Sequence, residues 1–506
     1  MSSHTVFTAV ALLLSGWGAT ADVRPSLNEV VEEVCSREAL SSSAVGLLAV
    51  TSGGDTLVTF NSGLKLVPAS NVKLITTGLA LKALGEDFRF ETGLGYDGEL
   101  VGGTLKGDLY IVGGGDPTTG SRAAVAEPSD ALFSDWLDLL RDAGIDRIEG
   151  RIIGDSRLFD TPTPENLGWS YDDLGTNYGV GPTGLNFFEN AQNFLITPGS
   201  SPGEKPVIRP KYPETPWMKY SVSAVTGAPR TANTVYYVNT PLAALGEFGG
   251  SFPCDRKGYT FEGSNRFGAY TCAWYFLEYL KSCGFEVSGG CADISSEGRI
   301  RLSPGYGDSG VGAASRSELN MIGSTYSVKL GAIAAETNRE SDNFFAETLL
   351  RMTALKSGYS CLGDGCIEAE ESLLRSMGLP VDGRCRLVDG SGLSRKNYVS
   401  AGFFVDFLLR MMDEPVFGAY LNSLPAPGTR GTLEYKFPRE SDAFRSRIRI
   451  KSGSMNGILC YSGYILPSEE GGETVVFSLL TNNVTASVWS VSPLVDRIIA
   501  ALAAEN

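Results

Sequence analysis

Histidine is almost absent from this chain: of 506 residues, only His4 is one. It lies in a segment that is typical of a cleaved export signal, so the mature protein is expected to contain no histidine. A Ser-His-Asp triad is therefore excluded, and so is a metal site that depends on histidine. No Cys-x-x-Cys pair occurs either, which argues against a zinc cluster. We expect neither a metal nor an organic cofactor.

Charged residues are missing from positions 1–21, and long apolar runs are missing from the rest of the chain. Positions 6–14 form a short apolar segment, which Ala19-Thr20-Ala21 follows as an A-x-A cleavage site. The apolar segment is too short to span a bilayer. The sequence therefore predicts a signal peptide, 1–21, that is cleaved after Ala21. The mature protein should be exported, periplasmic or extracellular, without a transmembrane anchor.

Positive charge is in short supply: 42 Lys and Arg residues stand against 58 Asp and Glu, a formal net charge of −16. Because phosphate binding needs a basic surface, nucleic acid is excluded as a partner. Nine cysteines are present. Export permits disulfides, and the odd count leaves at least one free thiol. We expect one to three structural disulfides, with their pairing left open.

The chain is longer than one hydrophobic core usually serves, so two or more domains are expected. Both ends carry strand and helix patterns, which predict one antiparallel sheet built from the two termini. This gives a discontinuous domain, 22–94 and 305–506. Its predicted helices cover 27–38, 71–84, a run over 327–355 that is interrupted near Ser341, and 491–504; its predicted strands cover 44–50, 56–60, 447–451, 459–466 and 474–480.

The middle of the chain, 95–304, is rich in Gly, Pro, Thr and Asn and has only short strand-like segments. We expect an inserted region here, made of two nested and mostly β domains. The Pro-rich stretch 198–216 is interpreted as a linker or an exposed loop. The strand-like segments are 105–112, 148–154, 206–208 and 234–238.

Three short motifs follow one another along the chain: Ser70-Asn71-Val72-Lys73, Ser341-Asp342-Asn343 and Lys451-Ser452-Gly453. The first begins a predicted helix, where an i to i+3 spacing brings the Lys73 amine beside the Ser70 hydroxyl. Burial beside a second cation would lower the pKa of Lys73, so that the amine can serve as a base. The motifs therefore predict a serine nucleophile whose proton is taken by a lysine.

The remaining motif residues complete this catalytic prediction. Lys451 is the candidate second cation, and it could also bind a substrate carboxylate. Ser341 can relay a proton to the leaving amine, and Asn343 can hold Lys73 and a substrate amide. The backbone N–H groups of Ser70 and Ser454 are candidates for an oxyanion hole.

Taken together, the motifs resemble the S-x-x-K, S-D-N and K-T-G set of β-lactamases and penicillin-binding proteins. The third motif has Ser in place of Thr and so keeps the hydroxyl. The chain is similar to class C low-molecular-mass penicillin-binding proteins, the D-alanyl-D-alanine carboxypeptidase/endopeptidases of peptidase family S13. Further segments that carry the resemblance are Gly107-Asp108-Leu109, Gly114-Gly115-Asp116-Pro117, Gly154-Asp155-Ser156 with Phe159, Gly168-Trp169, Tyr178-Gly179 with Asn186 and Asn190, and Asp389-Gly390-Ser391-Gly392-Leu393-Ser394-Arg395.

The resemblance implies an α/β (α+β) fold, with a β-lactamase/transpeptidase-like domain and nested insert domains. It implies a serine DD-peptidase that hydrolyses D-alanyl-D-alanine in peptidoglycan stem peptides through an acyl-enzyme at Ser70, with β-lactam antibiotics as covalent inhibitors. It also implies that Asp155, Phe159 and Arg395 hold the side-chain end of meso-diaminopimelate. The other implied substrate-binding residues are Ser452, Gly453, Ser454 and Asn456; Asn456 stands where relatives often have Gln.

Two other functions remain as alternatives. A β-lactamase-like hydrolase is disfavoured by the large insertion between the first and second motifs, which ordinary β-lactamases lack. A non-catalytic, penicillin-binding wall protein is disfavoured by the presence of both Ser70 and Lys73. The balance of carboxypeptidase and endopeptidase activity stays open, as does the diamino acid of the substrate.

Overall fold

The computed structural model of the protein describes residues 25–159, 165–166, 168–241, 243–294 and 314–505. The predicted signal peptide, 1–21, lies outside these residues. The helices are α1 (Leu27–Ser36), α2 (Val72–Leu84), α3 (Ser129–Asp142), α4 (Gly268–Ser282), α5 (Leu330–Glu340), α6 (Asn343–Lys356), α7 (Gly363–Ser376), α8 (Ala401–Met412), α9 (Phe417–Ser423), α10 (Asp442–Arg447) and α11 (Val488–Ala504).

The strands are short in the middle of the chain and longest near its two ends. They are β1 (Ala44–Thr51), β2 (Thr56–Phe60), β3 (Lys65–Leu66), β4 (Glu91–Tyr96), β5 (Glu99–Val101), β6 (Thr104–Lys106), β7 (Leu109–Val112), β8 (Arg147–Ile148), β9 (Ile152–Asp155), β10 (Ala191–Thr197), β11 (Val207–Tyr212), β12 (Lys219–Val222), β13 (Val225–Gly227), β14 (Tyr236–Thr240), β15 (Ala243–Gly249), β16 (Ser251–Pro253), β17 (Tyr259–Ser264), β18 (Glu286–Val287), β19 (Cys291–Ile294), β20 (Asn320–Tyr326), β21 (Cys385–Arg386), β22 (Tyr398–Ser400), β23 (Ile448–Met455), β24 (Ile458–Ile465) and β25 (Val475–Asn482).

One antiparallel sheet joins the two ends of the chain, in the order β2-β1-β25-β24-β23. β1 pairs with β25 along its whole length, from Ala44 opposite Asn482 to Thr51 opposite Val475. Every residue of β24 and β25 is buried, because helices cover both faces of the sheet. Alternate side chains of these strands enter two cores: one contains α2, α6 and α8, and the other contains α1 and α11. The predicted fold class is confirmed.

A sharp break separates α5 from α6. Ser341 adopts left-handed backbone angles (φ +59°), which end α5. Asp342 then caps α6 by accepting a hydrogen bond from the Phe345 N–H at 2.8 Å. This is the predicted interruption of the long helical run, and it leaves Ser341 and Asn343 on a tight corner.

The first module of the insertion is a mixed α/β unit. Its five-stranded sheet has the order β19-β9-β7-β4-β20, and α3 and α4 pack around a core that includes Trp136 and Phe276. β20 forms one edge of this sheet by pairing with β4. The predicted bounds of 95–304 are therefore too narrow at both ends. The expectation of a mostly β insertion is wrong for this module, because α3 and α4 are long helices.

The second module is nested in the first, between β9 and α4. It is built from the small sheets β11-β10-β17, β12-β15-β14 and β13-β16, around an aromatic core of Phe194, Tyr237 and Phe248. The stretch 198–216, interpreted as a linker or loop, contains β11. Pro210 is tolerated in β11 because an edge strand does not need every N–H group for pairing.

All nine cysteines lie in the described residues, and all are free thiols. The prediction of one to three disulfides is thus not met in this structure. Several thiols share a core: Cys361 and Cys366 lie in that of the catalytic domain, and Cys272 and Cys291 lie in that of the first insert module. Across the part of the chain that the structure describes, the helices are all too short or too polar to cross a membrane.

Candidate active site

Ser70 lies in a single 3₁₀ turn, Ala69–Asn71, that leads directly into α2. Every residue from Val72 to Leu81 is buried, so α2 runs through the centre of its domain. Lys73 follows one turn after Ser70, and its ammonium Nζ lies 3.1 Å from the Ser70 Oγ. The helical spacing that the sequence predicted therefore places a lysine amine within hydrogen-bond distance of a serine hydroxyl.

Lys73 is fully buried and donates hydrogen bonds to three oxygen atoms. Besides Ser70, its partners are the Asn343 Oδ1 and the Ser391 carbonyl oxygen, both at 2.7 Å. Burial lowers the pKa of Lys73 to about 8, while the negative charges of Asp342, Asp389 and Glu347 work against that decrease. A lysine with this pKa is partly neutral near pH 7–8, so it can accept a proton from Ser70.

Lys451 and Ser341 form the second half of the site. The Lys451 Nζ donates to the Ser341 Oγ at 2.9 Å and to the Ser452 carbonyl oxygen at 2.7 Å. Burial lowers the pKa of Lys451 well below its ordinary value, and the charge of Lys73 lowers it further. Burial is the main cause of the lowered pKa of Lys73, whereas the sequence analysis expected burial and the second cation to act together.

Two glycines allow other elements to approach the nucleophile turn closely. A Cβ atom on Gly453 would lie 2.7 Å from the Pro68 carbonyl oxygen and 3.0 Å from the Asn71 nitrogen. Gly392, at φ +80°, faces the Ala69 carbonyl oxygen with no room for a Cβ atom. The third motif needs its glycine because β23 packs directly on the turn that carries Ser70.

β23 is an edge strand, so one side of its backbone is not paired with the sheet. The Ile450 N–H points to that side, where it donates to the Pro425 carbonyl oxygen at 3.1 Å. N–H groups alternate in direction along a regular strand, so those of Ser452 and Ser454 also point away from β24. The Ser454 N–H therefore points to the unpaired side of β23, and its oxyanion role stays a prediction.

Thr432 is a site residue that sequence reasoning missed. Its hydroxyl accepts a hydrogen bond from the Ser452 Oγ at 3.0 Å, and its backbone N–H binds the Arg339 carbonyl oxygen at 3.0 Å. Ser452, Thr432 and the Lys451 ammonium together offer polar groups that can bind a carboxylate. No short motif contains Thr432, so only the fold reveals it.

A cleft of about 710 Å³ opens beside the second motif and separates the insertion from the catalytic domain. Its polar lining comes from both sides. The lining residues include Arg122, Asn177, Tyr178, Glu189 and Glu262 of the insertion and Glu336, Glu340, Ser341, Asn343, Arg430, Thr432 and Glu434 of the catalytic domain.

A segment of the insertion reaches across to the catalytic residues; we call residues 168–179 the insert strap. The Tyr178 carbonyl oxygen accepts a hydrogen bond from the Asn343 Nδ2 at 3.0 Å. The Trp169 Nε1 donates to Asp389 at 2.9 Å, and the Gly168 carbonyl oxygen accepts from the Ser394 Oγ at 3.0 Å. The insertion thus contributes backbone and side-chain contacts to the loops that hold Lys73.

The structure contradicts the implied substrate contacts of Asp155 and Phe159. Asp155 is fully buried, and its carboxylate pairs with Arg157 at 2.8 Å and with Arg316 at 2.9 Å. Burial alone would raise its pKa, but hydrogen bonds from the two arginines hold the pKa below its ordinary value. Phe159 is 2% exposed and packs in the catalytic-domain core beside Gly115. Neither side chain can reach a substrate in this structure.

Arg395 and Asn456, in contrast, meet beside the end of β23. Arg395 is exposed, and its Nη2 donates to the Asn456 carbonyl oxygen at 3.2 Å. Asp173 of the insert strap lies within the electrostatic reach of Arg395. Burial raises the pKa of Asp173 and the charge of Asp172 raises it further, whereas a hydrogen bond from Tyr178 and the charge of Arg395 lower it. An acid and a guanidinium therefore stand together near the open edge of β23.

Comparison with known proteins gives related sequences and a shared fold. A D-alanyl-D-alanine carboxypeptidase of Actinomadura is 28% identical, over 90% of this chain and 81% of the relative. The penicillin-sensitive carboxypeptidase A of Dictyostelium discoideum is 23% identical, over 96% and 92%. The fold matches penicillin binding protein 4 of Haemophilus influenzae, with a TM-score of 0.76 at 22% identity, over 92% of this chain and 97% of that one. The same protein complexed with a β-lactam gives a TM-score of 0.70 at 21% identity over the same shares.

A family model matches almost the whole described chain, over residues 27–296 and 307–500. This match includes the three motifs and both insert modules, so it does not depend on the catalytic domain alone. The chain belongs to the D-Ala-D-Ala carboxypeptidase 3 (S13) family.

Proposed function

We propose that Ser70 is the nucleophile and Lys73 the general base of this serine-type D-alanyl-D-alanine carboxypeptidase. The observation that carries the proposal is the buried Lys73 amine, 3.1 Å from the Ser70 Oγ, with its pKa lowered to about 8. Membership of the S13 family supplies the reaction class.

Acylation begins when the Ser70 Oγ attacks the carbonyl carbon of the D-alanyl-D-alanine peptide bond while neutral Lys73 takes the hydroxyl proton. The N–H groups of Ser70 and Ser454 bind the oxyanion that forms. The Ser341 hydroxyl then protonates the leaving nitrogen and regains a proton from Lys451. The C–N bond breaks, D-alanine leaves, and an ester remains on Ser70.

Deacylation is the reverse chemistry with water in place of the leaving amine. Water attacks the ester carbon and gives up a proton, which Ser341 passes to neutral Lys451. The Ser70 oxygen then leaves with the proton that Lys73 returns, so both lysines regain their starting states. Free enzyme and a shortened peptide are released. None of these steps requires a metal or an organic cofactor.

The substrate is a peptidoglycan stem peptide, and its backbone lies along the open side of β23. The terminal carboxylate binds to Lys451, Ser452 and Thr432, where a cation and two hydroxyls converge. Farther along the strand, Arg395 and Asn456 contact the side chain of the diamino acid. Since Asp155 is occupied by two arginines, Asp173 is the acid that would receive an ammonium group there.

β-Lactam antibiotics should acylate Ser70 and remain bound, because the strained amide offers the same carbonyl to the same nucleophile. A fold relative has been solved with a β-lactam, which supports this assignment. We also propose that the protein acts outside the cytoplasm after removal of residues 1–21, since its substrate is a wall peptide.

The test uses mature protein, residues 22–506, treated with penicillin and analysed by intact mass. The mass should increase by one ligand, and Ser70→Ala should abolish the increase. Ser487→Ala, which changes the exposed residue preceding α11, is the matched control and should acylate normally. Digestion of isolated muropeptides should release D-alanine. Acylation of the Ser70→Ala protein would show that Ser70 is not the residue that penicillin acylates. Normal D-alanine release by that variant would show that the peptidase site lies elsewhere.

A further inference from the structure

A buried carboxyl group lies behind the catalytic lysine. Glu347 is on α6, one turn after Asn343, so the two residues occupy the same face of that helix. Asn343 contacts Lys73 directly. Glu347 is 4% exposed and has no role in the steps described above.

Glu347 binds the loop that in turn binds Lys73. Its Oε1 accepts hydrogen bonds from the Ser391 N–H at 2.8 Å and from the Gly390 N–H at 3.1 Å. The carbonyl oxygen of the same Ser391 accepts the hydrogen bond from the Lys73 Nζ at 2.7 Å. The backbone of Ser391 is therefore fixed on one side by a carboxylate and on the other by the catalytic ammonium.

Two more buried acids surround Glu347, and their contacts differ from its own. Asp389 accepts from the Gly392 N–H at 2.9 Å and the Ser394 N–H at 2.6 Å, farther along the same loop. Glu370 accepts only from the Thr76 hydroxyl, at 3.4 Å, among the hydrogen bonds of the described residues. Of the three acids, Glu347 is the one that binds the residue whose carbonyl oxygen contacts Lys73.

The charge of Glu347 also bears on Lys73. The pKa of Glu347 is raised to about 7: burial and the charge of Asp389 raise it, and hydrogen bonds from Ser391 and the charge of Arg351 oppose part of that increase. Burial and the neighbouring acids Glu347 and Asp389 raise the pKa of Glu370 well above its ordinary value. Glu347 is thus partly ionised in the pH range in which Lys73 titrates.

We propose that Glu347 is a positioning residue for the general base: by binding the N–H groups of Gly390 and Ser391, it aims the Ser391 carbonyl oxygen at Lys73 and holds the amine beside Ser70. This inference rests on the role of Lys73 in the proposed function. It assigns Glu347 a part in acylation although it touches neither substrate nor nucleophile.

Two substitutions separate the hydrogen bonds of Glu347 from its charge. Glu347→Gln keeps an acceptor oxygen for both N–H groups but removes the negative charge. Acylation by penicillin should stay within a few-fold of wild type, and the midpoint of its pH dependence should move down by up to about 1 unit, because the lost carboxylate no longer favours the protonated form of Lys73. Glu347→Ala removes the acceptor as well, and acylation should slow by about 10- to 10²-fold, the scale of a misplaced catalytic group.

The control is Glu370→Gln, which alters a neighbouring buried acid that does not contact the loop. Glu370 binds neither the Gly390 nor the Ser391 N–H group, and the acids whose charge raises the pKa of Lys73 are Asp342, Asp389 and Glu347. Its substitution should therefore leave the rate and the pH midpoint unchanged. Rates are measured as first-order acylation constants, which do not depend on the fraction of folded protein, and thermal unfolding is recorded in parallel.

If Glu347→Ala lowers the melting temperature but acylates at the wild-type rate, with an unchanged midpoint in Glu347→Gln, then Glu347 is structural only and the inference is wrong. Should Glu347→Ala not fold, the midpoint of Glu347→Gln alone decides. Failure of the proposed function gives a different result, because Ser70→Ala would then still be acylated or wild type would not react at all.

Discussion

Lys73 illustrates how one residue acquires its chemistry from opposing influences. Burial disfavours its charged form, and three nearby carboxyl groups favour it. The result is a lysine whose pKa lies at about 8 instead of 10.5. The sequence predicted a lysine base from two patterns: the i to i+3 spacing of Ser70 and Lys73, and the order of the three motifs along the chain. The Ser391 carbonyl contact was not predictable, since any residue has a carbonyl group and this one comes from 318 positions away.

The pKa of Lys73 predicts the pH dependence of acylation. Below pH 8 the neutral fraction of Lys73 falls about tenfold per unit, so the acylation constant should fall with the same slope and level off above pH 8. Stopped-flow measurements with a chromogenic β-lactam between pH 5.5 and 9.5 would check this. A rate that stays flat from pH 6 to 9 would exclude Lys73 as the base.

The same shift has a consequence for stability. A lysine whose native pKa is lowered binds fewer protons in the folded protein than in the unfolded chain between pH 8 and 10.5. Its contribution to the free energy of unfolding should therefore rise with pH through this window and be constant, and unfavourable, below about pH 8. Urea unfolding should be measured for wild type and Lys73→Met at pH 7.5 and 9.5. The free energy of unfolding that Lys73→Met gains over wild type should be smaller at pH 9.5, where the unfavourable contribution of Lys73 has decreased. An equal difference at both values would contradict the assignment.

Asp155 and Arg395 should respond differently to substitution, although the family resemblance gave them one role. Asp155→Asn leaves Arg157 and Arg316 without their carboxylate, so it should destabilise the protein by about 3–5 kcal/mol, the range for a broken buried pair. Arg395→Ala should leave stability unchanged and reduce turnover of diaminopimelate peptides more than penicillin acylation. The sequence could not reveal the Asp155 pairing, because Arg316 is remote in the chain. Selective loss of peptide turnover in stable Asp155→Asn would restore its substrate role.

At the scale of elements, the site is a junction between the 3₁₀ turn before α2, the corner between α5 and α6, and the edge strand β23. The break at Ser341 was predictable because three short polar residues interrupt an apolar periodicity. Helices α3 and α4 were missed because the composition of the surrounding region outweighed their own patterns, although Phe133, Trp136, Leu137 and Leu140 recur on one helical face.

Gly453→Ala tests the close approach of β23 to the nucleophile turn. The added Cβ atom would meet backbone atoms of Pro68 and Asn71, which cannot move away as a flexible side chain would. We expect acylation to slow by about 10²-fold, since the strand and Ser70 must separate. Gly418→Ala in α9 is the control: no atom lies within 4 Å of its added Cβ, and alanine should be neutral or slightly stabilising there. Equal acylation by the two variants would show that the close approach is unimportant.

At the scale of the whole molecule, the insertion contacts the segments that carry the candidate active site. The insert strap binds Asn343, Asp389 and Ser394, all of which belong to the segments around Lys73. Sequence analysis predicted that an insertion exists but not that it touches these residues, because the contacts join parts of the chain more than 160 positions apart.

Trp169→Phe tests this connection, since it removes the indole N–H that binds Asp389 but keeps a large apolar ring. Hydrogen bonds to charged groups contribute about 1.5–3 kcal/mol, so the loop from Asp389 to Ser394 should loosen and acylation should slow. Trp489→Phe, at a site 85% exposed, is the matched control and should behave as wild type. Amide hydrogen exchange should report the loosening at residues 389–394. Unchanged exchange and unchanged acylation would show that the strap is passive.

The pairing of β1 with β25 also determines when this protein can become active. A ribosome makes β1 first and β25 almost last, so the terminal sheet cannot close until nearly the whole chain has been synthesised. The two insert modules, in contrast, are complete once β20 has been made and can fold ahead of the terminal sheet. A nascent chain therefore has its serine and lysine early but lacks the assembled pocket. Capture of a labelled penicillin should begin only after β25 has emerged, which makes the drug a reporter of completed synthesis.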